Sequence, residues 1–223
     1  MDNCWTETLL ANHLAYSFLS KAFYEAPDAA FIGLLASESL FNDWMLDGGE
    51  DGQTGLRLLR AVCDGWDDSQ IAALKRDYER LFVGPDHLLA APWESVYVSR
   101  DHLMFDAQTL EVRAAYQQFG MPIPNLHAEP DDHIGLELRF IAYLCSAGLN
   151  ALEQGQSHLL HRFENTIHHF LVGHLLVWSD QFLANVIEQA QTDYYRGVAY
   201  LTRGCLRETA RVFELAETTG ESG

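Results

Sequence analysis

Residues 131–148 run DDHIGLELRFIAYLCSAG. Ile134, Leu138, Ile141 and Cys145 recur every three to four residues, the spacing of a helix with one apolar face. Asp131 and Asp132 stand where carboxylates suit the positive end of a helix dipole. The helix is therefore expected to begin at that pair and to end at Gly148. The same period continues in both directions. Upstream it runs through Leu10, Leu14 and Phe18, with Ala11, Ala15 and Ala22 beside them, and halts before Pro27. A short helix is expected over Asp28–Ser37, another carrying Leu56, Leu59 and Cys63, and another carrying Ile71, Leu74, Tyr78, Leu81 and Phe82. Asp67, Asp68 and Ser69 offer caps for the last of these. Downstream, helices are expected over 108–119 with Gly120 closing it, 156–174, 179–191 with Ser179 as N-cap, and 193–217.

Two stretches interrupt the pattern. The acidic, glycine-rich run Asp47–Gly52 reads as an exposed loop. From Val83 to about Ala107 the period fails at Gly84-Pro85 and Ala91-Pro92, and Ser95–Val98 looks extended. Long irregular loops in compact domains are usually functional or disordered. This one carries Leu88, Leu89, Trp93, Val96, Tyr97 and Phe105, too apolar a set for disorder. A shorter proline-rich loop spans Met121–Pro130. With no period-2 strand and no internal repeat, the expectation is an all-α single compact domain over residues 1–217. It should hold about eight to ten helices and one long functional loop, with 218–223 as a frayed tail.

Charge narrows the partners. The chain has 223 residues, 14 Lys and Arg against 32 Asp and Glu, and a net charge of −18. Phosphate neutralisation needs clustered cations, so nucleic acid is excluded and anionic membrane surfaces are disfavoured. With 48% hydrophobic residues the chain can build a core rather than remain an acidic coil. The N-terminus shows no basic and apolar leader, no run is long enough for stable membrane insertion, and the four cysteines stand far apart with no CxxC and no zinc-type spacing. These features read as a cytoplasmic protein with reduced thiols.

Three constellations could carry chemistry. His158, His161, His168, His169 and His174 fall in one helical segment, but no HExxH is present, and His161 and His168 lie two turns apart, too far to share an ion; no metal site is assigned. Asp132, His133 and Glu137 form the second. His133 and Glu137 are at i and i+4, within reach on one helix face. With Glu129 they could polarise a water, cap the helix, or wait at a rim for guanidinium groups. Spacing does not choose among these. Third, Pro92-Trp93-Glu94-Ser95-Val96-Tyr97 places rigid aromatics beside proline, next to Leu81 and Phe82. Such a surface suits an amphipathic peptide. No GxSxG, P-loop or GxGxxG motif is present, so catalysis has no support.

Four runs in order resemble the TorD/DmsD family of cytoplasmic chaperones for molybdenum-containing reductases: Arg80-Leu81-Phe82-Val83-Gly84-Pro85, Pro92–Tyr97, Glu129-Pro130-Asp131-Asp132-His133-Ile134-Gly135, and His174-Leu175-Leu176-Val177-Trp178 with Phe182. The likeness spans about residues 6–213, and the Pro-Trp form of the loop is more like the dimethyl-sulfoxide-reductase branch. The resemblance implies an all-helical fold, no catalysis, no cofactor, and binding of the twin-arginine signal peptide of a reductase subunit until its molybdenum cofactor is inserted. It further implies a peptide site of Tyr78, Leu81, Phe82, Pro92, Trp93, Tyr97, Asp132 and His133, with Glu129, Asp131 and Asp106 as possible rim. Asp106 stands where relatives of this branch often carry glycine. The apolar residues are expected to set affinity and the carboxylates register. The rivals are a metal-dependent hydrolase built on Asp132, His133 and Glu137, and a chaperone of a non-exported reductase. The sequence is compatible with a monomer or a dimer.

Overall fold

A computed structural model describes residues 2–84, 88–98, 107–123 and 129–220. The stripe of residues 134–145 belongs to a helix that passes through the centre of the molecule (α7, Ile134–Glu153). It does not stop at Gly148. That glycine is an interior residue pressed against Leu9, and the helix runs on for another turn. Its start also differs from expectation. His133, not the aspartates, is the N-cap, its Nδ1 accepting from the Gly135 N–H at 3.0 Å.

The partner of α7 is the N-terminal helix (α1, Asp2–Tyr24), which packs on it more extensively than any other pair of elements. Gly135 makes this possible, because a Cβ there would lie 2.6 Å from the Tyr24 Cβ. Leu9, Tyr16, Leu19 and Phe23 are the fully buried face of α1. The expected stripe of Leu10, Leu14 and Phe18 is therefore only partly a core stripe: Leu10 and Leu14 are 40% and 49% exposed. The reason is that α1 is apolar on two sides, and periodicity cannot say which side the fold covers.

The next helices are α2 (Ala29–Ser37, capped by the Asp28 carboxylate) and α3 (Gly49–Asp64). The stretch read as an acidic loop is thus mostly the first turn of α3, where Glu50 and Asp51 meet the positive end of the dipole. Gly48, Gly52 and Gly55 are contact points with the C-terminal helix (α10, Asp193–Gly220). A Cβ on Gly204 would lie 2.5 Å from the Gly48 carbonyl oxygen, and one on Gly55 2.5 Å from the Leu201 nitrogen. The two helices approach at backbone distance, and Asp51 pairs with Arg207 across the seam at 2.8 Å. A buried chain from Tyr16 through Thr209 to Asn12, at 2.9 and 2.7 Å, ties α10 back to α1.

After a short 3₁₀ turn at Asp68–Gln70, α4 (Ile71–Tyr78) leads into a π-helical turn, Glu79–Val83. A small helix (α5, Glu94–Val98) and α6 (Ala107–Phe119) follow, and Gly120 takes φ 70° as expected of a closing residue. Ser95–Val98 is thus helical rather than extended. Beyond α7, residues 157–189 form one continuous helical run: a 3₁₀ turn, α8 (Leu160–Phe170), a π-helical turn (Leu171–Leu175) and α9 (Leu176–Gln189). Ser179 lies inside α9 and caps nothing. By length and composition this run could cross a bilayer, but Leu160, Ile167, Phe170, Leu171, Leu175, Trp178 and Phe182 are buried in the core. The fold is all-α, and among the described residues the only extended pairing is one antiparallel bridge between Trp93 and His133.

Candidate functional site

That bridge brings two of the sequence motifs together. Main-chain bonds run from Ile134 N–H to the Pro92 carbonyl (2.8 Å) and from Glu94 N–H to the Asp132 carbonyl (3.0 Å). The Asp132 carboxylate completes the clasp. One oxygen accepts from the Ser95 N–H at the start of α5, the other from the Thr109 hydroxyl in α6, both at 2.9 Å. Asp132 thus does for α5 what a capping residue does, and for this reason Ser95–Val98 becomes a helix despite its extended-looking sequence. Asp131 is engaged through one carboxylate oxygen, which pairs with Arg113 while the other has no partner, and through its carbonyl, which accepts from the Tyr116 hydroxyl at 3.0 Å.

Asp132 and Asp131 were expected near the mouth of a peptide site. They are 0% and 1% exposed, which makes them the frame of the site in this conformation. His133 is buried as well, its ring edge-on to Tyr24 at 5.2 Å and to Trp93 at 6.2 Å. Burial pushes the imidazole pKa down to about 3, so it is neutral, as its role as an acceptor requires. It does not meet Glu137 one turn on. Glu137 points into the interior, where Trp178 Nε1 donates to it at 3.3 Å and its second oxygen has no partner. Burial, with Glu94 and Asp132 nearby, raises its carboxyl pKa well above the usual range and keeps it protonated.

The fourth motif closes on the second from below. The π-helical turn carries His174 to Glu94, Nδ1 to carboxylate at 3.0 Å. Tyr97 lies against Trp178, ring centroids 5.3 Å apart, and against Phe182. The Tyr97 hydroxyl is pushed up to about 12 by burial. Trp93 and Tyr97 are half-buried, and Pro92 is buried. Leu81 and Phe82 do not line an open groove. They are core residues, Phe82 packed among Phe23, Tyr78, Phe182 and Tyr195. Both lie on the widened turn at Glu79–Val83. Tyr78 is also nearly buried, its hydroxyl donating to the Tyr24 carbonyl at 3.2 Å and pushed up to about 12 by burial. Arg80 serves the frame too, bonding buried Asp77, which caps the turn into α10 through Gln191 and Thr192.

The acid left at the surface is Glu129, exposed beside Trp93, its carboxyl raised by partial burial of that end. Burial raises the Tyr24 hydroxyl, and the nearby carboxylates of Glu129 and Glu25 raise it further. Asp106 lies outside the described residues. The site therefore shows aromatic walls from Tyr24 and Trp93, a carboxylate at the edge, and a rigid polar frame beneath. Glu129, Asp132, His133 and Glu137 do not converge on one open space, and among the described residues no three His, Cys, Asp or Glu could hold a metal ion. The hydrolase reading has no geometry to support it. The histidine segment disperses likewise: His161 meets Glu164, His169 the Asn165 carbonyl, and His174 Glu94.

A family model described as nitrate reductase delta subunit matches residues 49–184, more than half of the chain and all of the clasp. The chain belongs to the TorD/DmsD family. Relatives of this TorD/DmsD member include the probable Tat proofreading chaperone DmsD of Haemophilus influenzae, 32% identical over 60% of this chain and 59% of that protein's length. The Tat proofreading chaperone DmsD of Salmonella typhi is 28% identical over 83% of this chain and 82% of its own. The chaperone protein TorD of Shewanella pealeana is 24% identical over 89% of this chain and 88% of its own. The DmsD relatives favour the branch that Pro92-Trp93 indicated. Glu94, Thr109, Tyr24 and Arg113 were missed as members of the site. Glu94 was inside the motif, so its pairing with His174 of another motif was the one available signal; Thr109, Tyr24 and Arg113 gave none.

Proposed function

We propose that this TorD/DmsD-family chaperone acts in the cytoplasm, binding the twin-arginine signal peptide of a molybdenum-containing reductase subunit and holding it from export until the cofactor is in place. The observation that carries the reading is the clasp at Asp132 together with the His174–Glu94 contact below it: they unite three motifs of the family into one edge that displays Trp93, Tyr24 and Glu129. A buried frame of this kind lowers the ordering cost of binding, because the displayed groups are already fixed. The geometry changes the division of labour. The aromatic walls contribute apolar contact, Glu129 offers the exposed charge, and Asp132 and His133 act by holding Trp93 and α5 in position. Surface ion pairs of this sort contribute about 0.2–1 kcal/mol each, so apolar contact sets most of the affinity.

The test is calorimetric titration with a synthetic peptide carrying two adjacent arginines before an apolar stretch. Binding is expected to weaken on Trp93→Ala, and to weaken in a salt-dependent way when both arginines are replaced by alanine. A loss on arginine replacement that ignores salt would remove the charge component of this reading. Absence of binding to the wild-type chain would remove the reading itself.

A further inference from the structure

One of the two exposed leucines of α1, Leu14, belongs to a groove. Leu14 and Met45, about half exposed, flank a concavity of about 310 Å³ whose floor includes Phe18, Leu35 and Trp44. Its lining is almost wholly apolar, with Lys21 and Asp43 at the edge. We infer that this groove between α1 and α2 receives the apolar stretch of the twin-arginine peptide as a short helix, while the arginines lie toward Glu25 and Glu129. The inference rests on the function proposed above.

Three observations carry it. First, the groove and the candidate site share α1. Lys21 lines the groove, pairs with Glu25 one turn on, and sits 4.9 Å over the Phe31 ring. Tyr24, between Lys21 and Glu25, meets the His133 ring at 5.2 Å. At 1.5 Å per residue, Leu14 to Glu25 covers about 16 Å, the length of a helix of roughly eleven residues laid along α1. Second, the size suits side chains rather than a whole ligand. A cavity of about 150 Å³ holds one benzene ring, so this groove takes two or three aliphatic side chains, the anchors of one helix face at i, i+3 and i+7. Third, the charge suits a peptide that is basic at one end. Glu25 and Glu129 are exposed acids, and Lys21 is the resident cation on the former. A guanidinium, which binds a carboxylate in two places, displaces an ammonium that binds in one.

The experiment uses the full chain and the synthetic twin-arginine peptide with benzoyl-phenylalanine in its apolar stretch. The expected result is a light-induced adduct on Met45 or Leu14. Leu14→Asp and Met45→Asp, both at half-exposed positions, should each weaken binding at least tenfold with unchanged circular dichroism. Lys21→Gln should tighten it several-fold at low salt. Wild-type binding that both aspartate variants leave intact, or adducts confined to the Trp93 segment, would overturn the groove and leave the proposed function standing. A free chain that is dimeric and becomes monomeric on Leu14→Asp would assign the groove to a second copy and overturn it too. No binding by the wild-type chain would overturn both.

Discussion

The neutral imidazole of His133 gives the sharpest test of the site's construction. Its Nδ1 accepts from Gly135 N–H at 3.0 Å and so caps the central helix, and its ring is enclosed by Tyr24 and Trp93. Protonation would remove the acceptor and place a charge in a buried position. The folded-state pKa is about 3, against about 6.5 for a free histidine. The folded value is the lower one, so this group's stability contribution is fully present above about pH 6.5 and is lost as pH falls from there toward 3. Integrating between pH 7 and pH 5 gives a loss of about 2 kcal/mol from this one residue. Asparagine caps helices as well as any residue and does not titrate. His133→Asn should therefore cost about 1–2 kcal/mol at pH 7, through the lost ring contacts with Tyr24 and Trp93. At pH 5 the gap should close or reverse. The assay is urea denaturation followed by tryptophan fluorescence at pH 5, 6 and 7, comparing midpoints at constant slope. Parallel pH profiles for the two proteins would show that the imidazole titrates like a free one, and the buried cap would be wrong.

The other buried groups give distinct outcomes. Asp132→Ala strands the buried Ser95 N–H and Thr109 hydroxyl and should cost about 2–5 kcal/mol, whereas Asp132→Asn keeps an acceptor and should cost about half as much; an alanine variant of wild-type stability in the same urea titration would return Asp132 to the role of a peptide contact. Glu137 has its pKa raised, so its stability contribution is present below the ordinary carboxylate range and lost as pH rises. Glu137→Gln should accordingly raise the melting temperature more at pH 8 than at pH 5, and equal shifts would remove the buried-acid account. Gly204→Ala should cost about 1–3 kcal/mol by driving α3 and α10 apart, while Gly173→Ala, with nothing within 4 Å of the new Cβ, should be neutral or stabilising. Calorimetric melting of both variants checks the pair, and equal effects would refute the backbone-contact seam.

The fold was legible where apolar spacing was one-sided. Ile134, Leu138, Ile141 and Cys145 point one way and are all buried, as are Leu56 and Leu59 of α3. It was illegible where a residue's local preference was overruled by something distant. Gly48, Gly52 and Gly55 carry turn chemistry in sequence, yet their lack of side chains is used by Leu201 and Gly204, some 150 residues away. Ser95–Val98 has a β-branched, aromatic composition, yet a carboxylate 37 residues on caps it into a helix. Ser179 has the look of a helix start, but a π-helical turn carries the chain through without a break. In the first two cases the deciding partner lies far along the chain, beyond the reach of local sequence spacing; at Ser179 it is a local π-helical turn that no cap or breaker residue marks.

The site shows the same division more sharply. The motifs named most of the residues that gather there, but residue type alone does not tell a charge that waits for a ligand from one that the protein consumes. Asp132 and Asp131 sit in a motif between a proline-rich loop and a helix, which looks like a rim from sequence. Thr109, Arg113 and Tyr116, one face of α6, are what turn them into a frame. With the Asp132 carboxylate satisfied internally and that of Asp131 paired with Arg113, little of the chain's −18 remains at this site. It resides in Glu129 and, one helix turn past the groove, in Glu25, which the protein already covers with a lysine. A peptide bound as proposed would replace the existing Lys21–Glu25 pair at one of these two acids. Under that proposal the net electrostatic gain at Glu25 is small, and discrimination between basic and other peptides would rest on the geometry of the displaced pair together with the apolar surface beside it.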